Sequence, residues 1–417
     1  MRPPSGSVPT RPRRPGSGPA VLAAEVVTPP YRYRQEEITS AFAEACLAHD
    51  RPARQVLEKI SANAGVRTRH MALPLEEYRK LDGFTAANEV WRTTALDLGE
   101  RALRGALETA GILPEEVDVV ISTTVTGLAV PSLEARLVQR LGLRADVKRI
   151  PLFGLGCAAG AAGVARMHDY LRGFPDQVAV LLSVELCSLA VQRTDASTAN
   201  LVALSLFGDG AAAVVAVGER RAAGLSSLAG LSSAAGPPST EGLPSSADFP
   251  STEGLPSAED LLSIEELPGP VGLSGPEIVA TRSRLYPDSE DVMGWHIGAH
   301  GFGIVLSPDV ATVAEEQLPK DVHGFLDDHG LTPESLTTWI CHPGGPKVIQ
   351  AVERAFGLPP DALAHTRDSL AGLGNLSSAS VLDVLRRTMA APPPAGSWGL
   401  LTAMGPGFAS ELVLLRW

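Results

Sequence analysis

The chain has 417 residues, of which 44% are hydrophobic, and a formal net charge of −12. This length and apolar content are sufficient for two ordinary domains or one large fused domain with a substantial core. The acidic balance, without any extended Lys/Arg stripe, argues against a nucleic-acid-binding surface.

The N-terminal sequence indicates a tail rather than a leader. Residues 1–20 are rich in Pro, Gly and Arg, and Glu25 interrupts the apolar run AVLAAEVV that follows. We therefore predict a disordered tail over 1–20 and no signal peptide or membrane span. The cysteines show no CxxC or Cys/His spacing, which predicts neither a metal site nor a disulfide framework and favours a reducing cytoplasm. They are Cys46, Cys157, Cys187 and Cys341.

Helical and strand patterns alternate along the first half. Residues 92–112 have the apolar spacing of a helix, and VDVVISTTV, Val117–Val125, is of the buried-strand type. The alternation continues with helices at Glu134–Leu141 and after Cys157, and with strands at Gln177–Glu185 and Ala211–Gly218. This order predicts an α/β architecture.

The second half repeats the alternation. Its elements are strand Leu336–Cys341, helices Lys347–Leu358 and Ser377–Ala390, and strands in WGLLTAM and SELVLLRW. We predict a duplicated α/β core with halves at 21–218 and 277–417. Between them, residues 219–276 are rich in Ser, Pro, Gly and Leu and repeat STEGLPS at Ser239–Ser245 and Ser251–Ser257, which predicts a low-complexity, disordered insertion.

One cysteine has a chemically suggestive position. Cys157 stands at the start of a Gly/Ala-rich helix, in LFGLGCAAGAAGVARMHDYL. Free backbone N–H groups and the helix dipole at such a position stabilise negative charge and favour a thiolate. The spacing alone is also compatible with an inert, buried cysteine.

Two further motifs carry polar groups at the ends of α/β units. In CHPGGPKVIQ, His342 ends an apolar strand before a tight turn, and in GLGNLSSASV, Asn375 follows a Gly-rich turn and precedes a helix. Strand ends and helix starts are where α/β folds place reactive groups. Individually, these residues are equally explained as a strand cap and a helix N-cap.

Together, these motifs resemble those of a known family. GCAAG resembles the nucleophile motif of type III polyketide synthases, the chalcone synthase-like branch of the thiolase-fold condensing enzymes. LFGDGAAAVV resembles its gatekeeper segment, HPGGP and GNLSSASV its His and Asn motifs, and AMGPGFASE its C-terminal loop. The resemblance extends from about Val21 to Trp417 outside the insertion. It implies a thiolase-like fold with a duplicated αβαβα layered core.

The resemblance also implies a reaction. Cys157 would accept an acyl group from coenzyme A, with His342 holding it as a thiolate in an ion pair. His342 and Asn375 would donate hydrogen bonds to the thioester carbonyl of malonyl-CoA and stabilise the enolate left by decarboxylation. Coenzyme A thioesters are then substrates, and no bound cofactor or metal is expected.

Other residues are assigned by the same resemblance. Phe207 matches the gatekeeper aromatic between the coenzyme A tunnel and the cavity, although it is also compatible with an ordinary core residue. Arg67 and Arg69, in GVRTRHM, stand where the family carries a basic cluster for the phosphates of coenzyme A. The family forms homodimers in which residues near Val130 approach the partner's cavity.

The substrate pocket is assigned from the bacterial alkylpyrone and alkylresorcinol synthases, which accept long fatty acyl starters. STTVTGLAVPSLEARLVQRLG, Ser122–Gly142, and VELCSLAVQ, Val184–Gln192, resemble that group, in which the positions of Thr126, Val130 and Cys187 shape an apolar acyl tunnel. Trp295 and Ile304 depart from the plant relatives, where a Gly and a second gatekeeper Phe stand. We therefore expect a medium- or long-chain acyl starter and an alkylpyrone or alkylresorcinol-type product.

Three alternatives stay open at this point. A 1,3,6,8-tetrahydroxynaphthalene synthase uses malonyl-CoA alone, but that group usually has a Cys near Thr124–Thr126. Ketoacyl synthase III shares the Cys, His and Asn trio, but has other residues in place of HPGGP and GPGFA. A catalytically silent thiolase-fold partner subunit would be expected to lose part of the trio, which is complete here.

Overall fold

The structure is a computed structural model that describes residues 18–234, 275–298 and 301–417. Its strands are β1 Ala20–Val27, β2 Tyr31–Arg34, β3 Thr68–Met71, β4 Val119–Thr123, β5 Lys148–Leu152, β6 Val178–Leu186, β7 Asp209–Val217, β8 Glu277–Leu285, β9 Met293–Gly298, β10 Gly301–Leu306, β11 Leu336–Cys341, β12 Trp398–Gly405 and β13 Ala409–Arg416. Its α-helices are α1 Gln35–Cys46, α2 Arg51–Ala62, α3 Gly83–Ala110, α4 Leu133–Leu141, α5 Ala159–Gly173, α6 Thr198–Leu206, α7 Glu219–Ala234, α8 Val310–Asp327, α9 Pro346–Phe356, α10 Ala364–Leu373 and α11 Ser378–Ala390.

Nine strands form one mixed sheet in the order β11-β12-β13-β8-β1-β7-β6-β4-β5. The first-half strands β4, β5 and β6 pair in parallel, as do β11 and β12 in the second half. The two halves meet where Ala20 of β1 pairs with Glu277 of β8. Strands β5 and β11 are the two edge strands of the sheet, one in each half.

The helices α5 and α11 lie between the two halves of the sheet and are largely buried, with exposed positions toward their C-terminal ends. Helix α3 covers the first half from outside, and α8 and α9 cover the second. This is the predicted αβαβα layering. The central helices approach closely because a Cβ atom at Gly160 of α5 would lie 2.1 Å from the carbonyl oxygen of Ser378, so only glycine fits there.

Most predicted elements are present, with shifted bounds. Strand Leu336–Cys341 agrees with the prediction, whereas the helix predicted over 92–112 begins earlier, at Gly83. Buried residues at helical spacing continue backward through Trp91 and Ala87, which extends the apolar face of the helix by two turns.

The predicted disordered segments are partly ordered. Ala20, the last residue of the predicted tail, already belongs to β1, and the first part of the predicted insertion is helix α7. This helix is anchored because the backbone N–H of Arg220 donates to the carbonyl of Pro175, its side chain pairs with Asp176, and Ala222 is buried. Residues 1–17 and both STEGLPS repeats lie outside the described residues. In the described ranges, no helix combines the length and apolar character needed to cross a bilayer.

Candidate active site

Cys157 lies in a single 3-10 turn, Gly156–Ala158, that leads directly into α5. Its thiol is buried and donates to Oγ of Ser377 over 3.7 Å. Burial raises the pKa of Cys157 to about 12, with a smaller contribution from the charge of Glu185, while hydrogen bonds with Ser377 and Asn375 lower the pKa. The thiol is therefore protonated in this geometry.

His342 follows the last residue of β11, and its backbone N–H donates to the carbonyl of Thr402 on the neighbouring strand β12. Neither ring nitrogen has a hydrogen-bond partner among the described residues, although both are buried. Burial lowers the pKa of His342 to about 3. Desolvation therefore favours the neutral forms of Cys157 and His342 in this geometry, and the thiolate–imidazolium ion pair stays a prediction of the family resemblance.

Asn375 is held in the turn between α10 and α11. Its backbone N–H donates to the carbonyl of Leu206, and its side-chain oxygen accepts from the backbone N–H of Ser377 over 2.8 Å. Since the oxygen is engaged, the amide NH2 is the group that remains to interact with Cys157 and with a ligand. Ser377 has a φ of 50°, a strained conformation for a residue with a Cβ and one found preferentially at functional sites.

The C-terminal loop packs directly on the cysteine turn. A Cβ atom at Gly405 would lie 2.6 Å from the carbonyl oxygen of Leu155, and one at Gly156 would lie 2.6 Å from Cδ of Pro406. Glycines at both positions therefore allow the GPG loop to fix the Cys157 turn. Because Thr402 stands on the same strand as Gly405, β12 brings His342 to the end of the sheet where Cys157 lies.

Phe207, Cys187, Trp295 and Ile304 come together around one small cavity. Its volume is about 10 Å³, which is room for one water molecule. Trp295 and Ile304 face each other across the β9–β10 hairpin. These four residues are therefore brought together as predicted, and the bulky side chains nearly fill the space between them.

A larger cavity of about 300 Å³ lies next to this one and is lined by Thr126. The two cavities share Phe42, Ser188, Ala190 and Val191 as lining residues. Val130 is not part of either cavity, since its side chain is 95% exposed on the surface of the chain. The predicted approach of residues near Val130 to the partner's cavity stays a prediction.

The two predicted coenzyme A-binding arginines have different environments. Arg67 is exposed, whereas Arg69 is only 2% exposed, with Nε donating to Gln35 Oε1 and Nη1 to the carbonyl of Phe207. A phosphate of coenzyme A does not reach a guanidinium enclosed in this way. The assignment of Arg69 to phosphate binding is therefore corrected, and Arg69 belongs to the interior of the site.

Two buried carboxylates near the site were missed by sequence reasoning. Glu185 accepts hydrogen bonds from the backbone N–H of Val125, from Thr126 Oγ1 and from Ser378 Oγ, and burial raises its pKa to about 7. Asp209 accepts from the backbone N–H groups of Ala72 and Ser188, and burial raises its pKa to about 6. The sequence signal that could have identified both carboxylates is an acidic residue at one end of an otherwise apolar strand.

Comparison with known proteins agrees with this geometry. The family models described as chalcone and stilbene synthases match residues 9–220 with the N-terminal domain and 277–417 with the C-terminal domain. A 1,3,6,8-tetrahydroxynaphthalene synthase of Streptomyces peucetius subsp. caesius is 48% identical over 96% of this chain and 93% of its own length. A second protein of that name, from Streptomyces coelicolor, is 30% identical over 88% of this chain and 84% of its own.

Solved structures give the same result. The crystal structure of 1,3,6,8-tetrahydroxynaphthalene synthase from S. coelicolor A3(2), a bacterial type III polyketide synthase, superposes with a TM-score of 0.79 at 28% identity, covering 95% of this chain and 99% of that one. A polyketide synthase structure from the brown alga Ectocarpus siliculosus has a TM-score of 0.77 at 22% identity, covers 96% of this chain and 98% of its own, and supports the fold. The chain belongs to the chalcone and stilbene synthase family, and it is a type III polyketide synthase with a thiolase-like fold.

Proposed function

We propose that this enzyme extends a medium- or long-chain acyl starter with malonyl-CoA and closes the product to an alkylpyrone or alkylresorcinol-type ring. The observation that carries the proposal is the cavity of about 300 Å³ beside the catalytic chamber, walled on one side by Leu189–Val191. Coenzyme A thioesters serve as the substrates, and the protein's own residues supply the chemistry without a bound cofactor.

The first step loads the starter onto Cys157. Sγ attacks the acyl-CoA carbonyl as the thiol proton passes to His342, whose ring nitrogens have no hydrogen-bond partner within the described residues. Coenzyme A leaves as its thiol, taking the proton from His342, and the acyl group stays as a thioester on Cys157.

The second step generates the carbon nucleophile. Malonyl-CoA places its thioester oxygen between the imidazole N–H of His342 and the NH2 group of Asn375. When the C–CO2 bond breaks, its electron pair forms an enolate, and the two donors stabilise the developing charge on oxygen. No separate base is required because the departing carboxylate supplies the electrons.

The third step forms the carbon–carbon bond. The enolate carbon attacks the acyl thioester, the Cys157 sulfur leaves with the bonding electrons, and the extended chain remains on coenzyme A until it is transferred back to Cys157. The enclosed site excludes water, which would otherwise hydrolyse the thioester.

The starter is assigned from the lining of the larger cavity. Phe84, Ala87, Leu189, Val191 and Phe302 give it an extended apolar wall. Each methylene group buried there contributes about 0.8 kcal/mol, so a chain of several carbons gains substantial binding energy. The small chamber at Phe207 and Trp295 has no comparable space for such a chain in this geometry.

A second candidate is synthesis of 1,3,6,8-tetrahydroxynaphthalene from malonyl-CoA alone. It is favoured by the relative of that name that is 48% identical to this chain. Against it stands Thr126 at the cavity wall, near the position where that group usually has a Cys. The two candidates share the same catalytic trio and differ only in the starter and the ring closure.

The coenzyme A phosphates are assigned to an exposed basic position near the site. A Cβ atom at Gly65, two residues before Arg67, would lie 3.2 Å from Cγ of Pro346 at the start of α9, and Lys347 is the next residue of that helix. Cations beside a helix N-terminus form a favourable surface for phosphate groups. We therefore retain Arg67 as a coenzyme A contact, with Lys347 as a second candidate.

One exposed edge of the molecule supports the proposed homodimer. Strand β5 ends the sheet, and the apolar side chains of Val130, Phe153 and Leu128 are 95%, 52% and 40% exposed. Exposed apolar side chains near an unpaired strand edge are typical of an interface. A second copy of the chain is the occupant expected from the family.

Mass spectrometry of the products tests the choice of starter. The purified enzyme is given malonyl-CoA alone and then with acyl-CoA starters from acetyl to palmitoyl. We expect pyrones or resorcinols that carry the intact starter chain, with faster turnover for the longer chains. A naphthol formed from malonyl-CoA alone, unchanged by added starters, would instead support the second candidate.

A further inference from the structure

Arg69 connects the gatekeeper to the rest of the site. Its Nη1 donates to the carbonyl oxygen of Phe207 over 2.7 Å, and its Nε donates to Gln35 Oε1 over 3.0 Å. Gln35 in turn donates from Nε2 to the carbonyl of Ser205 over 2.8 Å. The Gln35–Arg69 pair therefore satisfies two carbonyls at the C-terminal end of α6, where a helix leaves its last carbonyls without partners.

The same arginine also packs against the turn that carries Asn375. A Cβ atom at Gly374 would lie 3.0 Å from both Cγ and Cδ of Arg69, and Gly374 has a φ of 74°. The two residues before Arg69 fasten its strand to this turn, since the backbone N–H of Arg67 donates to the carbonyl of Ala371 and Thr68 Oγ1 donates to that of Gly372. Arg69 thus touches the gatekeeper and the residue preceding Asn375.

Phe207 and Asn375 are also joined directly. Their backbones form an isolated bridge, in which the N–H of Asn375 donates to the carbonyl of Leu206 and the N–H of Gly208 donates to that of Asn375. A displacement of one residue is therefore transmitted to the other. Arg69 contacts this bridge through Phe207 and Gly374, and its side chain also lines the small cavity.

Burying the charged guanidinium of Arg69 costs free energy, so its place in the interior calls for a physical reason. Burial lowers the pKa of Arg69 to about 10, partly offset by the charge of Asp209, so the group stays charged near neutral pH. Its Nη2 is buried and has no hydrogen-bond partner in the part of the chain that the structure describes. A buried cation with one unsatisfied donor is weak support for stability alone, whereas its hydrogen bond to Phe207 and its packing against Gly374 reach the parts of the site that need fixed positions.

We propose that Arg69 is a positioning residue that sets the Asn375 amide and the Phe207 gatekeeper through their shared backbone bridge. This inference rests on the proposed roles of those two residues. Arg69 does not touch the substrate in this account; it acts on decarboxylation through Asn375. Its loss therefore lowers the rate of the chemical step more than it changes the binding of malonyl-CoA.

The test compares the decarboxylation of malonyl-CoA in Arg69→Met and Arg69→Lys, with thermal unfolding measured in parallel. We expect Arg69→Met to lower kcat, counted per alkylatable Cys157, about tenfold or more while changing KM less than about threefold. Arg69→Lys keeps a cation that reaches one of the two acceptors and is expected to recover part of kcat. Arg32→Gln, an exposed arginine on the adjoining strand β2, is the control and is expected to keep the parental kcat.

A double-mutant cycle with Asn375→Ala separates positioning from general stability. If Arg69 acts through Asn375, Arg69→Met lowers the rate less than about threefold further in the Asn375→Ala background. Full multiplication of the two effects, or an unchanged kcat in Arg69→Met, would overturn the inference while leaving the proposed function intact. If Asn375→Ala alone leaves decarboxylation unchanged, the proposed function fails and the inference falls with it.

A second variant keeps the test decisive if Arg69→Met does not fold. Gln35→Met removes the acceptor that orients Arg69 and leaves the guanidinium in place. We expect kcat to fall about threefold at unchanged KM, with the same non-additivity toward Asn375→Ala. An unchanged kcat in a folded Gln35→Met enzyme would overturn the inference.

Discussion

The catalytic chamber, that is, the surroundings of Cys157, His342 and Asn375, differs in construction from the larger cavity, whose lining overlaps with that of the small cavity at Phe207. Around Cys157 and Asn375, side chains and backbone are tied by hydrogen bonds, strained torsions and glycine contacts, and the adjoining void is about 10 Å³. Behind Ala190 and Val191, the cavity of about 300 Å³ is lined by Phe84 and Ala87 from α3 and by Phe302 from the hairpin. The first region holds the catalytic groups in fixed positions, whereas the second provides volume for a substrate chain.

This difference separates the chemistry from the choice of substrate. The chamber positions one thiol, one imidazole and one amide, and a small displacement there is expected to affect every substrate equally. The cavity contributes apolar area that only a long starter uses. Substitutions in the chamber should therefore change kcat for all starters, and substitutions in the cavity should change the ranking of the starters.

The largest effect is expected from Cys157→Ala. Without the thiol no acyl-enzyme forms, and polyketide formation should fall by about 10⁴-fold or more. Decarboxylation uses the donors of His342 and Asn375, so acetyl-CoA should still form from malonyl-CoA at a rate within about tenfold of the parent. Liquid chromatography of both products checks this. Loss of decarboxylation together with condensation would contradict the division of labour within the chamber.

A large change with pH is expected in the alkylation of Cys157. Because burial raises the pKa of its thiol to about 12, the thiolate fraction should rise about tenfold per pH unit between about pH 6 and pH 9. Peptide-resolved iodoacetamide labelling measures this rate, with the less buried Cys46 as internal reference. A plateau below about pH 7 would show instead that a thiolate–imidazolium pair is preformed, as the family motif suggests.

A selective effect is expected from Ala87→Phe, which fills the larger cavity from α3. The kcat/KM for lauroyl-CoA should fall about tenfold or more, since a chain that loses two or three buried methylenes loses about 2 kcal/mol. The value for acetyl-CoA should remain within about twofold of the parent. Thr85→Phe, on an exposed position of the same helix, serves as control. An equal loss for both starters would contradict the separation of chamber and cavity.

The smallest effect on chemistry is expected from Val130→Asp. A charge at this exposed apolar position should weaken a dimer, so light scattering should show a larger monomer fraction at micromolar concentration. The matched change Leu113→Asp, at another exposed apolar residue, should leave the dimer intact. If the parent protein is already monomeric, the prediction that Val130 approaches a partner's cavity is wrong.

The parts of the site that were predictable from sequence are those defined by local backbone. The local positions of Cys157, His342 and Asn375 were predictable because a strand end or a helix start lies beside each of them, whereas their joint catalytic role came from the family resemblance and stays a prediction. The fold followed from alternating apolar patterns in the same way. The duplicated layering depended on family resemblance, because no local pattern specifies how α5 and α11 meet.

The environments of individual side chains were not predictable, because they depend on residues distant in the chain. Arg69 looked like a surface arginine, yet its partners Gln35 and Phe207 are 34 and 138 residues away. Val130 was expected to help shape an acyl tunnel, whereas its side chain is 95% exposed on its own chain. Glu185 and Asp209 are likewise buried because several elements pack around the ends of β6 and β7 where they stand.

The most direct test of the account is peptide mass mapping of the enzyme after incubation with lauroyl-CoA, before and after malonyl-CoA is added. We predict a lauroyl thioester on the Cys157 peptide that disappears as extended products form, and no adduct in Cys157→Ala. Products that carry the lauroyl chain without any adduct on Cys157, or an adduct on Cys46, Cys187 or Cys341 instead, would contradict the central claim.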